Sequence, residues 1–417
     1  SYAACPSCTP SRSAVLTGRH IWQVGEGGVL YGTLPKEYPV FPLLLQDAGY
    51  HVGYTGKGWG PGDWTAGGLE RYPIGNEYNS QLAREETVEG LDRRDYAANF
   101  EAFLDDRPTN APFFFWFGCT EPHRVYKPGI GLTTGVQLEQ VGVPDYWPDT
   151  EVIRSDILDY YFEVQWFDSH LERMLNLLER RGELDDTIIV VTSDNGMPFP
   201  RAKVNLYDPG VRMPLAIRWG ERVSGKRTDS DFVSHTDFAP TFLEAAGIRP
   251  PLAMTGRSLL GILTSKDSGV IEAGRDYVVT ALERHTWCRP DGATYPIRGI
   301  RTRDFLYLRN FEPERWPTGG PEFVSSNKTF HGDVDACPTK TFMLAPANRE
   351  QYPVEYDLCF GKRRAEELYD VRSDPDQVKN LADQPPYQEV KEALSNRLES
   401  YLSETGDPRL NDLDPWQ

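Results

Sequence analysis

The chain has 417 residues, with 62 Asp and Glu against 44 Lys and Arg for a formal net charge of −18. That length suffices for one large domain plus a smaller one, and 39% hydrophobic residues with 12% aromatics support a buried core. No apolar run approaches the ~20 residues that span a bilayer, and the acidic balance argues against nonspecific nucleic-acid binding, so any pocket for an anion has to be a local basic island.

The first element is Cys8-Thr9-Pro10-Ser11-Arg12-Ser13-Ala14-Val15-Leu16-Thr17-Gly18-Arg19. Thr9 suits a helix N-cap, Pro10 the first helical position and Gly18 the stop. Cys8 then lies just ahead of a helix N-terminus, where free N–H groups and the helix dipole favour an anion, and Arg12 lies one turn along. The same spacing also describes a capped helix beside a buried cysteine. Val40 to Gly49 reads as a short helix, and His51 to Lys57 as a strand with Lys57 at its C-terminal end. Residues 63 to 94 are polar and read as a surface excursion. Tyr96 to Leu104 reads as a helix, and the run Phe113 to Phe117 as a central strand covered on both faces, with His123 in the loop beyond it.

Asp156 to Arg181 is a long amphipathic helix whose stripe runs through Leu158, Tyr161, Val164, Phe167, Leu171, Met174 and Leu178. Thr187 to Thr192 is a β-branched strand. Asp194 and Asn195 follow it; they are ordinary turn formers and also hard oxygen ligands for Ca²⁺ or Mg²⁺. Met213 to Trp219 reads as another strand and Asp237 to Ile248 as a capped helix. A break near residues 265 to 275 divides the chain into 1–270 and 275–417. Past it, Tyr277 to Leu282 and Gly299 to Phe311 read as strands, and Tyr387 to Leu402 as a terminal helix. The expected fold is α/β, a mainly parallel sheet flanked by helices, with a smaller α+β C-terminal subdomain containing an antiparallel sheet. Lys57, His123 and Asp194/Asn195 each follow a strand, so they converge on one sheet edge. Of the six cysteines, Cys337 and Cys359 are one candidate pair, and buried thiols are the alternative.

Cys8-Thr9-Pro10-Ser11-Arg12 followed by Leu16-Thr17-Gly18-Arg19 resembles the signature of the type I sulfatases, of the alkaline phosphatase superfamily. The resemblance implies that Cys8 is oxidised to formylglycine by a maturation enzyme and that Arg12 holds the hydrated aldehyde. Gly56-Lys57-Gly58-Trp59 is similar to the family's Gly-Lys-x-His segment, which makes Lys57 a sulfate ligand. Trp59 stands where histidine is usual, to stack on a sugar or to pack. Pro122-His123-Arg124 resembles the segment whose histidine protonates the leaving group. Ser193 to Gly210 resembles the second half of the metal site, with Asp194 and Asn195 as ligands and Lys203 facing the sulfate. This stretch is similar to the N-sulfoglucosamine sulfohydrolase branch. His285 and Arg289, in a loop of the second part, are candidate substrate contacts. Sulfatases carry a strand with two adjacent metal-binding aspartates ahead of the cysteine motif; its absence from the sequence reads as a truncated N-terminus or a depleted metal site.

Taken together, these likenesses imply a sulfatase that uses Ca²⁺, or Mg²⁺, and acts on a sulfate ester or sulfamate of a sulfated carbohydrate. It would be secreted, periplasmic or lysosomal, with neither nucleic acid nor a membrane span among its partners. A phosphoester hydrolase of the same superfamily, or a non-catalytic glycan-binding remnant, are the other readings.

Overall fold

The computed structural model describes residues 1–83, 87–325, 329–411 and 413–416. Its elements follow one another as α1 (Cys8–Thr17), α2 (Phe41–Asp47), β1 (His51–Gly56), β2 (Asn76–Glu77), α3 (Tyr96–Asp106), β3 (Phe113–Gly118), α4 (Glu151–Arg180), β4 (Ile189–Val191), α5 (Asp208–Val211), β5 (Ala216–Arg218), α6 (Phe238–Ala245) and α7 (Leu260–Thr264). Then come β6 (Tyr277–Leu282), β7 (Ile297–Thr302), β8 (Phe305–Asn310), α8 (Pro338–Leu344), α9 (Pro346–Gln351), α10 (Pro353–Phe360), β9 (Glu366–Asp370) and α11 (Gln388–Glu404).

The fold is α/β, as the alternation of elements implies. β2, β1 and β3 form a parallel sheet in that order, paired from His51 against Phe113 to Gly56 against Gly118. β6, β7, β8 and β9 form an antiparallel sheet in sequence order. Three expectations change. β5 runs antiparallel to β4, so this pair departs from the parallel scheme. The stretch 299 to 311 is a hairpin rather than one strand, because Thr302 clamps the turn: its hydroxyl donates to the Phe305 carbonyl and accepts from the Phe305 N–H. β3 is the edge of its sheet rather than a central strand, and Phe113 to Phe117 are only half-buried.

The free edge of β3 borders a cavity of about 1480 Å³, lined also by β4, by Phe41 and Leu45 of α2, and by Phe167, Leu171 and Leu178 of α4. The apolar stripe of α4 therefore divides. Leu158, Met174 and Leu178 are buried, while Val164 is 38% exposed and lines this cavity. The second sheet shares a core with the start of the chain: Tyr2, Cys5, Ile21 and Trp22 pack with Val278, Ile300, Leu368 and Leu398. All six cysteines are free thiols. Cys337 accepts a hydrogen bond from the Lys340 N–H and Cys359 donates to the Tyr146 carbonyl, so these two do not pair with each other.

Five buried histidines, all lowered by burial, make the fold acid-sensitive. Burial lowers His20 and His235 to about 3, and His285 and His331 to about 4. The unfolded chain takes up these protons near pH 6.5, before the native state does. Their stabilisation is therefore complete above that pH and is lost as the pH falls toward 4. Urea unfolding at pH 7.5 and pH 5 should show a loss of at most roughly 2 kcal/mol per histidine.

Candidate functional site

The cysteine motif folds as a helix, but its start differs from the expectation. α1 begins at Cys8 itself with Ser7 as N-cap, so Thr9 and Pro10 are already inside the first turn. The Ser7 hydroxyl makes no cap bond; it meets His285 Nδ1 at 2.8 Å. Thr9 donates to the Pro61 carbonyl at 2.5 Å and Ser11 to the Asp194 carbonyl at 2.5 Å. These bonds stitch the helix between the loop after β1 and the loop after β4. Cys8 is buried at the helix start, its Sγ 3.9 Å from Asn195 Nδ2.

Arg12, one turn on, points back along the helix. Its Nε donates to Asp194 Oδ2 at 2.8 Å, and its Nη1 to the Lys57 and Gly58 carbonyls at 2.7 and 2.6 Å. Burial pushes the Asp194 carboxyl up, but the charges of Arg12 and Lys57 outweigh it and hold the group at about 2. Lys57 is placed by strand pairing: its N–H donates to the Gly118 carbonyl at 2.6 Å, and a Cβ on Gly118 would lie 1.9 Å from the Lys57 carbonyl oxygen. Only glycine lets the two strand ends approach this closely. At the end of β4, a Cβ on Gly196 would lie 1.9 Å from the Pro209 carbonyl oxygen.

Lys203 is presented by a strained turn. Arg201 has φ 64° and Val204 φ 68°, a left-handed conformation that is rare for residues other than glycine and costly for a β-branched side chain. Arg201 anchors the turn from beneath, donating to the Leu358 and Gln377 carbonyls. The buried Lys203 Nζ donates to Asp335 Oδ2 at 2.8 Å and lies 3.3 Å from His123 Nε2. Burial alone would lower Lys203, but Cys8 and Asp335 outweigh it, so the ammonium persists. His123 stands at the cavity mouth, where Nδ1 donates to the Arg124 carbonyl at 2.8 Å. That bond leaves Nε2 of the neutral ring as acceptor toward Lys203. The protein around the ring and the Lys203 charge lower its pKa, while Asp335 works the other way. Arg124 pins this loop through two bonds to Asp156 of α4, at 2.6 and 3.0 Å.

Cys8, Arg12, Lys57, Trp59, His123, Asp194, Asn195 and Lys203 all line one cavity, whose other end is the apolar region between β3 and β4. Three expected substrate contacts are placed differently. Trp59 is 5% exposed and its indole N–H donates to Ser13 at 2.9 Å, so it packs in the cavity wall rather than offering an open platform to a sugar. His285 is buried against Ser7, a support for the residue before Cys8. Arg289 is occupied by the Trp316 and Pro317 carbonyls and by Asp333 at 2.9 Å, away from the cavity lining. Sequence reading missed Asp335. It lies in the loop before α8, and only folding brings it to Lys203.

Asp194 and Asn195 offer few side-chain oxygens, one of the Asp194 pair already bonded to Arg12, against the roughly six to eight that Ca²⁺ takes. Among the described residues no group of three or more His, Cys, Asp or Glu side chains could hold a metal ion. The described donors do not fit a metal on their own, and the positive charge of the site comes from its side-chain cations.

The family model described as Sulfatase matches residues 1–248, and the one described as N-sulphoglucosamine sulphohydrolase, C-terminal, matches residues 201–313. The chain belongs to the sulfatase family. As a sulfatase it is an enzyme, a hydrolase. It is 27% identical to an ulvan-active sulfatase of Formosa agariphila, over 97% of this chain and 68% of that one. To human N-sulphoglucosamine sulphohydrolase it is 28% identical, over 98% of this chain and 83% of the other. The fold is that of BT4656, solved in complex with its substrate D-glucosamine-2-N,6-O-disulfate, at a TM-score of 0.65 and 22% identity over 99% of this chain and 90% of that one. No helix among the described residues of this sulfatase is long and apolar enough to cross a membrane.

Proposed function

We propose that this sulfatase removes a sulfate ester or a sulfamate group from a sulfated sugar of the glycosaminoglycan type, through an aldehyde made from Cys8 by a maturation enzyme. The observation that carries the reading is that Arg12, Lys57 and Lys203 line the same cavity as Cys8 and His123. In a chain of net charge −18 this is the basic island an anionic group needs. Relatives named for ulvan and for N-sulphoglucosamine support the substrate class.

Hydrated, the aldehyde supplies two hydroxyls, one to attack sulfur and one to expel sulfate as the carbonyl re-forms. The chain's own residues do the rest. Lys57 and Lys203 hold the sulfate oxygens, and their fixed charges meet the charge that builds up there. Arg12 holds the side chain at position 8, bridging it to Asp194. His123 Nε2 gives a proton to the departing oxygen or nitrogen. Bound sulfate stands between His123 and Lys203 and favours the protonated ring. The protein works outside the cytosol, in a secreted, periplasmic or lysosomal setting, and its buried histidines weigh toward the near-neutral of these.

Two measurements test the reading. Intact mass should show the chain about 18 Da light at Cys8, thiol replaced by aldehyde, when a maturation enzyme is co-expressed. The same protein should release sulfate from 4-nitrophenyl sulfate much faster than phosphate from 4-nitrophenyl phosphate. The other reading is a non-catalytic glycan-binding protein. An aldehyde-bearing chain that binds sulfated glycans and turns over neither ester would establish it.

Asp335→Asn should move the alkaline limb of the kcat/KM profile to lower pH. Asp335 raises the pKa of His123, and without it the ring loses its proton earlier. A pH–rate profile from pH 5 to 9 checks the sign.

A further inference from the structure

Two large aromatic rings lie in the open, outside the cavity lining but linked to residues next to Cys8. Tyr31 is 45% exposed and Trp287 41% exposed, and they stack with centroids 5.1 Å apart and planes at 15°. They come from opposite parts of the chain, and each is tied to a residue flanking Cys8. The Tyr31 N–H donates to the Pro61 carbonyl at 3.1 Å, the same oxygen that accepts the Thr9 hydroxyl. Trp287 follows two residues after His285, whose ring holds Ser7.

The backbone at Tyr31 is unusual. Its φ is 62°, in the left-handed region that a tyrosine enters only at a cost. Strain of this kind at an exposed position points to a task for the side chain. A cation completes the group: the Arg284 guanidinium lies 5.0 Å from the Trp287 ring centre. Among the described residues Arg284 forms no salt bridge, although the charges of Glu26, Asp414 and Asp333 reach it; its Nη1 donates to the Trp416 carbonyl, and its buried Nε has no hydrogen-bond partner. An exposed aromatic surface with a cation beside it that forms no salt bridge suits a flat, apolar ring face that carries an anionic substituent.

We infer that Tyr31 and Trp287 form a second carbohydrate subsite, which stacks on the sugar next to the sulfated one while Arg284 takes that sugar's carboxylate or sulfate. The inference rests on the glycan-sulfatase reading. It goes beyond that reading by making the enzyme prefer chains to single sugars, and it puts aromatic recognition on the exposed Tyr31 and Trp287 rather than at the buried Trp59.

The test compares kcat/KM on sulfated tetrasaccharides from heparin, chondroitin sulfate and ulvan with that on the matching sulfated monosaccharides, alongside 4-nitrophenyl sulfate. The wild type should favour tetrasaccharide, and Trp287→Ala or Tyr31→Gly should each reduce that preference roughly five- to tenfold. Trp287→Tyr should restore most of it. Tyr31→Gly supplies the readout that a structural role would not give: glycine adopts the left-handed conformation freely, so the thermal midpoint should not fall while the preference does. Variants that keep the wild-type preference, or a wild type that treats monosaccharide and tetrasaccharide alike, overturn the subsite. A wild type inert on 4-nitrophenyl sulfate and on every sugar overturns the glycan-sulfatase reading instead, and the subsite with it.

Discussion

Cys8→Ala should abolish sulfate release from 4-nitrophenyl sulfate while leaving a folded protein. The residue begins α1 and is buried, but the change removes one sulfur atom at a cavity wall. The hydrogen bonds that fix the helix run through Ser7, Thr9, Ser11 and Arg12, and none depends on the thiol. A stability loss of about 1 kcal/mol is the scale for so small a truncation. Activity stands on a different footing. When a nucleophile acts as one unit with its acid and its electrostatic clamp, its loss costs on the order of 10⁶-fold in kcat. Urea unfolding and single-turnover rates on one preparation separate the two effects. Arg12, Lys57 and Lys203 remain, so sulfate ions should still raise the melting temperature of the variant. Normal turnover by Cys8→Ala would remove position 8 from the chemistry, and with it the proposed aldehyde.

The parts of this molecule that depend on local sequence were legible before folding. β-branched and aromatic runs marked β1, β3, β4 and β6, and Gly18 marked the end of α1, because strand and helix signals are carried by neighbours in the chain. The convergence of Lys57, His123 and Asp194 followed from their common place after strands, a rule of topology rather than of contact. Long-range placement was not legible. Nothing around Asp335 announces that its loop lies over Lys203. Arg289 looks free in the sequence, yet it is buried and held by Asp333 and two carbonyls. Trp59 was open to stacking or packing, and its bond to Ser13 makes it core. The run Phe113 to Phe117 reads as fully covered because periodicity reports what a strand can bury, not which neighbours lie beside it.

Lys203→Met should cost more than the loss of one cation. Removing a single preorganised charge at a developing oxyanion costs about 10²–10³-fold in kcat. Here the ammonium also neutralises Asp335, held at about 2 because the charge of Lys203 outweighs the burial that would raise it. Without Lys203 the Asp335 carboxylate is left unpaired within charge range of His123, so repulsion of the sulfate adds to the lost attraction. The double variant Lys203→Met, Asp335→Asn should therefore be faster than Lys203→Met alone, by roughly tenfold if one unit of like charge is worth about 1.4 kcal/mol in this setting. Asp335→Asn in the wild-type background should be the mildest of the three, since it leaves the cation and removes only the partner that competes with substrate for it. Steady-state kcat/KM for the four proteins closes the cycle. Additive effects would mean that the 2.8 Å bond between Lys203 and Asp335 is structural and that the two groups act on the sulfate independently.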